Sequence, residues 1–200
     1  MAKKIAITGG IGSGKSTVIQ ILKEKGYDVF SCDAIYQNIL TSKEYVQEIE
    51  RAFPSAVFDG KIDKKKLANI VFNDPSAREK LDSIAHPLIM QTLLNKMNSA
   101  KSSIVFAEVP LLFEGDFEHL FDEIIVVMRK EEDRIAAIQQ RDGLSNEQVR
   151  NRMNSQIDYN APSTIKRIKN CNAYILDNNQ EVEGLKNQIS QFLLSQKQQS

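Results

Sequence analysis

The chain has few cysteines, no excess of charge and no long apolar run, and each shortage excludes a class of protein. Its 2 cysteines, Cys32 and Cys171, are far apart and outside any C-x-x-C pattern, so we expect neither a disulfide framework nor a zinc site. Lysine plus arginine number 26, and aspartate plus glutamate also number 26. The formal net charge is therefore zero, which argues against a protein that coats nucleic acid.

The apolar residues are also too scattered for a membrane protein. The longest apolar stretch, 102–113, is interrupted by Glu108 and is well short of the roughly 20 residues that cross a membrane. The amino-terminal segment reaches glycines too early for a secretory signal, so we expect a reducing, cytoplasmic setting. A chain of 200 residues is expected to form one large domain, with room for small insertions.

Short β-rich segments alternate with longer helical patterns, which is typical of a parallel sheet with helices on both faces. We predict five strands in a doubly wound α/β sheet, at 4–8, 28–32, 103–109, 123–128 and 173–176. Helical patterns are predicted at 15–25, 63–73 and 77–97, from Ser145 toward Gln156, and at 182–194. Pro87 is expected to kink or split the helix over 77–97.

Two stretches do not fit the simple alternation. The first lies between the second and third strands, at about 35–100, and is far longer than a minimal crossover, so we predict an inserted helical subdomain. The second, 134–152, places four arginines on polar helices around a glycine-containing turn. That composition suits a mobile cationic flap. Its arginines are Arg134, Arg141, Arg150 and Arg152.

A phosphate-binding motif follows the first strand. Residues 9–17 read G-G-I-G-S-G-K-S-T, which satisfies G-x-x-x-x-G-K-[ST] between a strand and a helix. Glycines there let backbone N–H groups point inward, toward phosphate oxygens, beside the positive end of the next helix. Lys15 can reach the β and γ phosphates and Ser16 can ligate Mg²⁺. The predicted nucleoside triphosphate site comprises Gly10, Ile11, Gly12, Ser13, Gly14, Lys15, Ser16 and Thr17.

Three carboxylates are candidates for the reaction opposite this loop. Asp33 follows the second strand, where it could orient and deprotonate an attacking hydroxyl and help hold Mg²⁺; a helix cap near Ala34 is the alternative, and both roles could coexist. Glu108 ends the third strand at the Walker B position, with a solvated strand end as its alternative. Glu114 follows the strand-breaking Pro110, where a substrate contact is one interpretation.

Two arginines and a histidine have both functional and ordinary interpretations. Arg134 and Arg141 would share a face if one helix carries both, forming a cationic pair that binds phosphate; exposed arginines without such a role are the alternative. His86 lies before Pro87 in a half-apolar stretch, where a packed structural histidine is the usual case.

Taken in order, these motifs resemble the dephospho-CoA kinase family over nearly the whole chain. The matching segments are the nucleotide loop at 8–17, Asp33, the segments 58–63, 67–74, 86–89 and 109–114, and the last strand with its end at 175–178. The chain also resembles the family's lid, at Arg134, Ile135, Arg141, Arg152 and Gln156.

The resemblance implies a P-loop NTPase-type α/β fold, with a five-stranded parallel sheet, in three parts. These are a core at 1–33, 101–130 and 157–200, a helical substrate-binding insertion at 34–100 and a helical lid at 131–156. It implies that ATP, with Mg²⁺, phosphorylates the ribose 3′-hydroxyl of dephospho-CoA to give coenzyme A and ADP. The implied partners are ATP and dephospho-CoA, without nucleic acid or membrane, for a monomer or weak homo-oligomer.

Site roles follow from the motifs and the resemblance together. The expected catalytic residues are Asp33, Lys15 and Arg141, and the expected metal ligands are Ser16 and Asp33. Arg141 and Asn178 join the ATP site, with Asn178 near the adenine by resemblance. The expected substrate contacts are Asp33, His86, Leu111, Glu114 and Arg134.

The chain also departs from the family pattern. Ser31-Cys32 precedes Asp33 where the family usually has Asp-Ala, Gln37 and Lys64 stand in place of arginines, and Asn172-Ala173 replaces Ala-Asp. These differences concern secondary phosphate contacts. Two other functions stay open from the residues alone: another small-molecule or nucleoside monophosphate kinase on this scaffold, and a regulatory nucleotide switch, although the chain has neither D-x-x-G nor N-K-x-D.

Overall fold

The computed structural model describes residues 2–179 and 181–198, which form two compact units. One unit comprises the described residues up to Val29 and from Ala100 onward, and the other is Phe30–Ser99. The strands are β1 Lys3–Thr8, β2 Asp28–Ser31, β3 Val57–Phe58, β4 Lys61–Ile62, β5 Ile104–Glu108, β6 Glu123–Met128 and β7 Tyr174–Asp177. The α-helices are α1 Lys15–Glu24, α2 Cys32–Ile39, α3 Lys43–Ala52, α4 Lys64–Asn73, α5 Pro75–Asn98, α6 Glu131–Asp142, α7 Asn146–Asn154, α8 Pro162–Asn170 and α9 Val182–Gln198. Two short 3₁₀ turns lie at Pro54–Ala56 and Glu118–Leu120.

The described residues contain a five-stranded sheet with the order β2-β5-β1-β6-β7, and its strands β1, β5, β6 and β7 lie wholly in the first unit. β1 pairs in parallel with β5 and with β6, and β6 pairs in parallel with β7. This confirms the predicted α/β class and each of the five predicted strands. Because β1 is the central strand, the loop that follows it lies at the middle of the carboxyl edge, where ligands of open α/β sheets bind.

The central strand β1 is buried on both of its faces. Ile5, Ala6 and Ile7 of β1 are all 0% exposed, so side chains on both faces of the sheet are covered. Helices α1 and α9 pack against one face, with Leu22 and Phe192 among the residues that join the strands in one apolar cluster. This core holds the end of β1 and the start of α1 in place, and so supports the loop between them.

The second unit is mainly helical. That it is an inserted substrate-binding part at 34–100 stays a prediction. Its long helix α5 packs against α2, α3 and α4, and β3 pairs with β4 in an antiparallel hairpin. Of the two outcomes expected at Pro87, the split is wrong, because α5 continues through that residue from Pro75 to Asn98. A kink there stays a prediction. An internal proline removes one helical hydrogen bond. Packing of α5 against three other helices offsets that loss.

Candidate active site

The loop between β1 and α1 is shaped by glycines with positive φ. Gly12 has φ 77° and Gly14 has φ 99°, a region that other residues rarely adopt. Gly14 precedes the first helical residue, Lys15, and has no side chain with which to cap α1. The first N–H groups of α1 therefore face the loop together with the positive end of the helix dipole, which is a favourable arrangement for an anion.

The Lys15 side chain lies over the loop that precedes it. Its Nζ donates to Gly9 O at 2.7 Å and to Gly10 O at 3.2 Å. Charged phosphate oxygens are stronger acceptors for an ammonium group than peptide carbonyls are. A bound triphosphate would therefore compete directly with these two carbonyls for the Lys15 ammonium.

Three side chains from distant parts of the sequence bind the peptide groups of the loop. Arg134 Nε donates to Ile11 O at 2.9 Å, and Gln156 Oε1 accepts from Ile11 N at 2.7 Å. Asn178 Nδ2 donates to Ser13 O at 2.8 Å. The sequence predicts a substrate contact for Arg134 and an ATP contact for Asn178, and it places Gln156 only by resemblance to the lid. A pattern of local residues cannot show such contacts, because each joins residues more than a hundred positions apart.

Close packing of these side chains explains two of the loop's glycines, Gly10 and Gly14. A Cβ at Gly10 would overlap the Arg134 guanidinium, and a Cβ at Gly14 would overlap the Asn178 amide. The loop is therefore glycine-rich for two reasons here: its backbone conformation, and the close approach of side chains that bind it.

Arg134 is a partly buried cation beside the loop. Burial lowers the pKa of its guanidinium, while the charges of Glu131 and Asp158 act in the opposite direction. None of the ion pairs within residues 2–179 and 181–198 involves Arg134. A desolvated cation of this kind favours an anionic ligand.

Arg141 lies on the same helix, α6, but in a different environment. Its side chain is 62% exposed and binds Asp142 twice, with Nε–Oδ1 at 2.7 Å and Nη2–Oδ2 at 2.9 Å. Arg152 Nη1 contacts the same Asp142 carboxylate at 3.0 Å. Hydrogen bonding to Arg141 lowers the pKa of Asp142, and the same bond raises the pKa of Arg141. One continuous helix thus carries both arginines, yet only Arg134 contacts the loop while Arg141 is held by its neighbour.

Residues at the ends of β1 and β5 complete the rim of the site in this unit. Glu108 pairs in register with Ile7 and is half-buried, directly beside the end of β1. Leu111 follows in the next turn and is 38% exposed. Glu114 is half-buried, and its Oε1 accepts from Ile157 N at 3.2 Å. A Walker B role for Glu108 and substrate contacts for Leu111 and Glu114 stay predictions.

Tyr159, in the segment after α7, also joins this rim. Its hydroxyl lies 3.0 Å from Thr8 Oγ1, the last residue of β1, and the side chain is buried. Burial raises the pKa of Tyr159 to about 12, so the phenol stays neutral at ordinary pH. The pair fixes the segment after α7 on the end of β1, next to the loop.

Asp33 and His86 belong to the second unit. Asp33 is the second residue of α2 and is exposed, while Ser31 Oγ caps that helix by accepting from Ala34 N at 3.5 Å. The alternative role of Asp33 as the helix cap is therefore wrong. His86 Nε2, on α5, lies 3.7 Å from the Asp82 carboxylate. Their catalytic and substrate roles stay predictions.

Two of the departures from the family pattern are in contact. Lys64 Nζ donates to Gln37 Oε1 at 2.9 Å, which joins α4 to α2 within the second unit. The neutral Gln37 side chain thus accepts a hydrogen bond from the charged Lys64 side chain.

A cleft of about 570 Å³ lies beside the phosphate loop. Arg134 and Gln156, which both bind Ile11, contribute to its wall. Its other lining residues are Glu131, Arg150, Met153, Asn154, Ile157, Asp158 and Asn160. The wall is largely polar and carries both signs of charge, which suits a polar ligand that extends from the loop.

Neither an all-protein metal centre nor a membrane segment is found in the described residues. Within 2–179 and 181–198, no three His, Cys, Asp or Glu side chains come together in a way that could hold a metal ion. In the same ranges, none of the helices has the length and apolar character needed to cross a membrane.

Comparisons with known proteins agree with this geometry. The model of a family described as "Dephospho-CoA kinase" matches residues 3–183. A curated dephospho-CoA kinase from Thermus thermophilus is 35% identical over 189 residues, covering 94% of this chain and 89% of that protein. A solved Thermus thermophilus structure has a TM-score of 0.81 at 34% identity, covering 97% of each chain. A solved dephospho-CoA kinase from Campylobacter jejuni has a TM-score of 0.68 at 30% identity, covering 97% of this chain and 96% of that one.

Proposed function

The chain belongs to the dephospho-CoA kinase family, and we propose that it transfers the γ-phosphate of ATP to the ribose 3′-hydroxyl of dephospho-CoA. The products are coenzyme A and ADP, and the reaction completes coenzyme A biosynthesis. The observation that carries the proposal is the phosphate loop after the central strand β1, combined with a family match over residues 3–183. The phosphate loop supports ATP as the phosphoryl donor, and the family match supports dephospho-CoA as the acceptor.

ATP binding is assigned to the loop residues 10–17. Their inward N–H groups and the start of α1 would receive the phosphate oxygens, and Lys15 would move from Gly9 O and Gly10 O to the β and γ phosphates. Asn178 is assigned to the adenine end of the nucleotide. Its Nδ2 bond to Ser13 O supports that assignment, because it fixes the side chain at the loop's helical end.

The residues of the loop also fit a Mg²⁺ ion. Mg²⁺ prefers oxygen ligands and is commonly held by one or two protein groups plus substrate phosphates. Ser16 supplies an exposed hydroxyl in the first turn of α1, and Asp33 is the proposed carboxylate. When bound, the ion would neutralise charge on the phosphate oxygens.

Phosphoryl transfer itself requires positioning and charge neutralisation rather than covalent participation by the protein. We assign Asp33 to orient the 3′-hydroxyl and accept its proton. We assign Lys15 and Arg141 to neutralise the negative charge that develops on the transferred phosphoryl group. Arg141 would first have to leave Asp142, an exposed pairing of the kind that contributes little stability.

The acceptor side is assigned to His86, Leu111, Glu114 and Arg134. The helical unit supplies His86, in keeping with a substrate-binding insertion at 34–100, and the segment 131–156 is the proposed lid. Closure of that lid would exclude water that could otherwise accept the phosphoryl group. We also expect a cytoplasmic protein that is monomeric or weakly self-associating.

A coupled ADP-release assay with ATP and Mg²⁺ tests the proposal. Dephospho-CoA should support turnover, whereas coenzyme A, whose 3′-position is already phosphorylated, should not. Nucleoside monophosphates serve as the competing acceptors. Faster turnover with a nucleoside monophosphate than with dephospho-CoA would assign the chain to another acceptor.

A further inference from the structure

Ile11 of the phosphate loop is bound to the α6–α7 hairpin, defined here as residues 131–156. Gln156 Oε1 accepts from Ile11 N at 2.7 Å, and Arg134 Nε donates to Ile11 O at 2.9 Å. The Ile11 side chain packs against the hairpin's apolar cluster of Ile135, Ile138 and Val149. Both polar backbone groups and the side chain of one residue are therefore held by the same hairpin.

The loop needs such an anchor. Ile11 stands between Gly10 and Gly12, and glycines leave the backbone with more accessible conformations than other residues do. Anchoring the residue between two glycines restricts the rotations on either side of it. The anchor therefore selects one conformation of a loop that would otherwise sample several.

Gln156 is itself held in position from both directions along the chain. Its backbone N–H donates to Met153 O at 3.1 Å, in the turn that ends α7. The next residue, Ile157, donates its N–H to Glu114 Oε1 at 3.2 Å. The carboxamide thus extends from a backbone fixed at both ends, which makes it suited to hold another group in place.

We propose that Gln156 is a positioning residue for ATP: its carboxamide holds the Ile11 peptide on the α6–α7 hairpin, and so keeps the phosphate loop in its nucleotide-binding conformation. The part of this inference that concerns ATP rests on the proposed function. It implies that nucleotide binding affects the loop and the hairpin together, because Ile11 of the loop is bound to the hairpin.

The test replaces Gln156 with methionine, which keeps the length of the side chain but removes the acceptor. Gln140→Met is the matched control, because Gln140 is an exposed glutamine on α6 of the same hairpin. The first measurement is hydrogen exchange of the Ile11 amide in ¹⁵N-labelled protein without nucleotide. We expect exchange to accelerate by roughly threefold to tenfold in Gln156→Met, the equivalent of one ordinary hydrogen bond.

The second measurement separates binding from turnover. In Gln156→Met, both the Kd and the KM for ATP should rise by roughly threefold to tenfold, while kcat at saturating ATP changes by less than about twofold. Gln140→Met should match the wild type in each. A purely structural role for Gln156 would lower Tm without this separation of KM from kcat.

The outcomes distinguish failure of the inference from failure of the proposed function. Unchanged Ile11 exchange in Gln156→Met overturns the anchor whatever the substrate is. Faster exchange with an unchanged Kd for ATP overturns the positioning role while leaving the anchor. A wild-type protein that does not bind ATP refutes the proposed function and the positioning role with it, and the exchange measurement still decides whether Gln156 anchors the loop.

Discussion

Substitution of Gly14 by alanine should destabilise the protein by more than a strained backbone alone explains. Gly14 has φ 99°, and an alanine there costs about 1–2 kcal/mol in backbone strain. Its new Cβ would also overlap Asn178 Nδ2, with Asn178 Cγ at 3.2 Å, and so displace the amide from Ser13 O. Loss of that hydrogen bond adds about 1 kcal/mol. The expected decrease in the free energy of unfolding is therefore about 2–3 kcal/mol.

Gly26 provides a matched control for the strain. It has φ 84° at the end of α1, and among the described residues, apart from Gly26 and its two chain neighbours, no atom lies within 4 Å of the position its Cβ would occupy. Gly26→Ala should therefore cost only the strain, about 1–2 kcal/mol. Both substitutions stiffen the unfolded chain to the same degree, so that contribution cancels in the comparison.

Urea unfolding without nucleotide, followed by circular dichroism, measures these differences. Asn178→Ala alone should cost about 1 kcal/mol, and Gly14→Ala with Asn178→Ala should cost no more than Gly14→Ala, because both remove the same hydrogen bond. The reasoning is refuted if Gly14→Ala is no more destabilising than Gly26→Ala, or if the two changes at Gly14 and Asn178 simply add.

Three further predictions address the chemistry and the titration of the site. Asp33→Asn should lower kcat by about 10²–10⁴-fold, the range of a general base, with a nearly unchanged KM for ATP; steady-state kinetics that show normal turnover would remove Asp33 from that role. Asp142→Asn should release Arg141 and lower the KM for ATP by up to about fivefold, and a raised KM would contradict the assignment of Arg141 to ATP. The pKa of Tyr159 is raised from 10.0 to about 12, so the stability from its neutral, buried phenol is present below pH 10 and is lost as pH rises through 12. Between pH 10 and 12, the free energy of unfolding should therefore fall by on the order of 2 kcal/mol more in the wild type than in Tyr159→Phe, as measured by urea unfolding. Equal decreases in the two proteins would show that the phenol does not titrate in that range.

The agreement between sequence and structure is closest where the pattern is local. Strand β1, the glycines of the loop and helix α1 follow one another within residues 3–24, and each is specified by neighbouring residues. Pro87 shows the limit of local reasoning. A proline weakens a helix in isolation, but α5 is held along its length by α2, α3 and α4, and this packing decides that the helix continues.

The amino-acid sequence by itself determined the α/β class, the phosphate loop and the family, because strand periodicity, glycine spacing and the order of motifs are properties of the chain. Only the tertiary structure decided that Arg134, Gln156 and Asn178 bind the loop's own peptide groups, and that Arg141 is held by Asp142. The physical reason is that the loop's partners are brought to it by the parallel order of the sheet and the packing of α6 and α7. An arginine in a polar helix, or a glutamine just after one, carries no local signal of which distant backbone group it will contact.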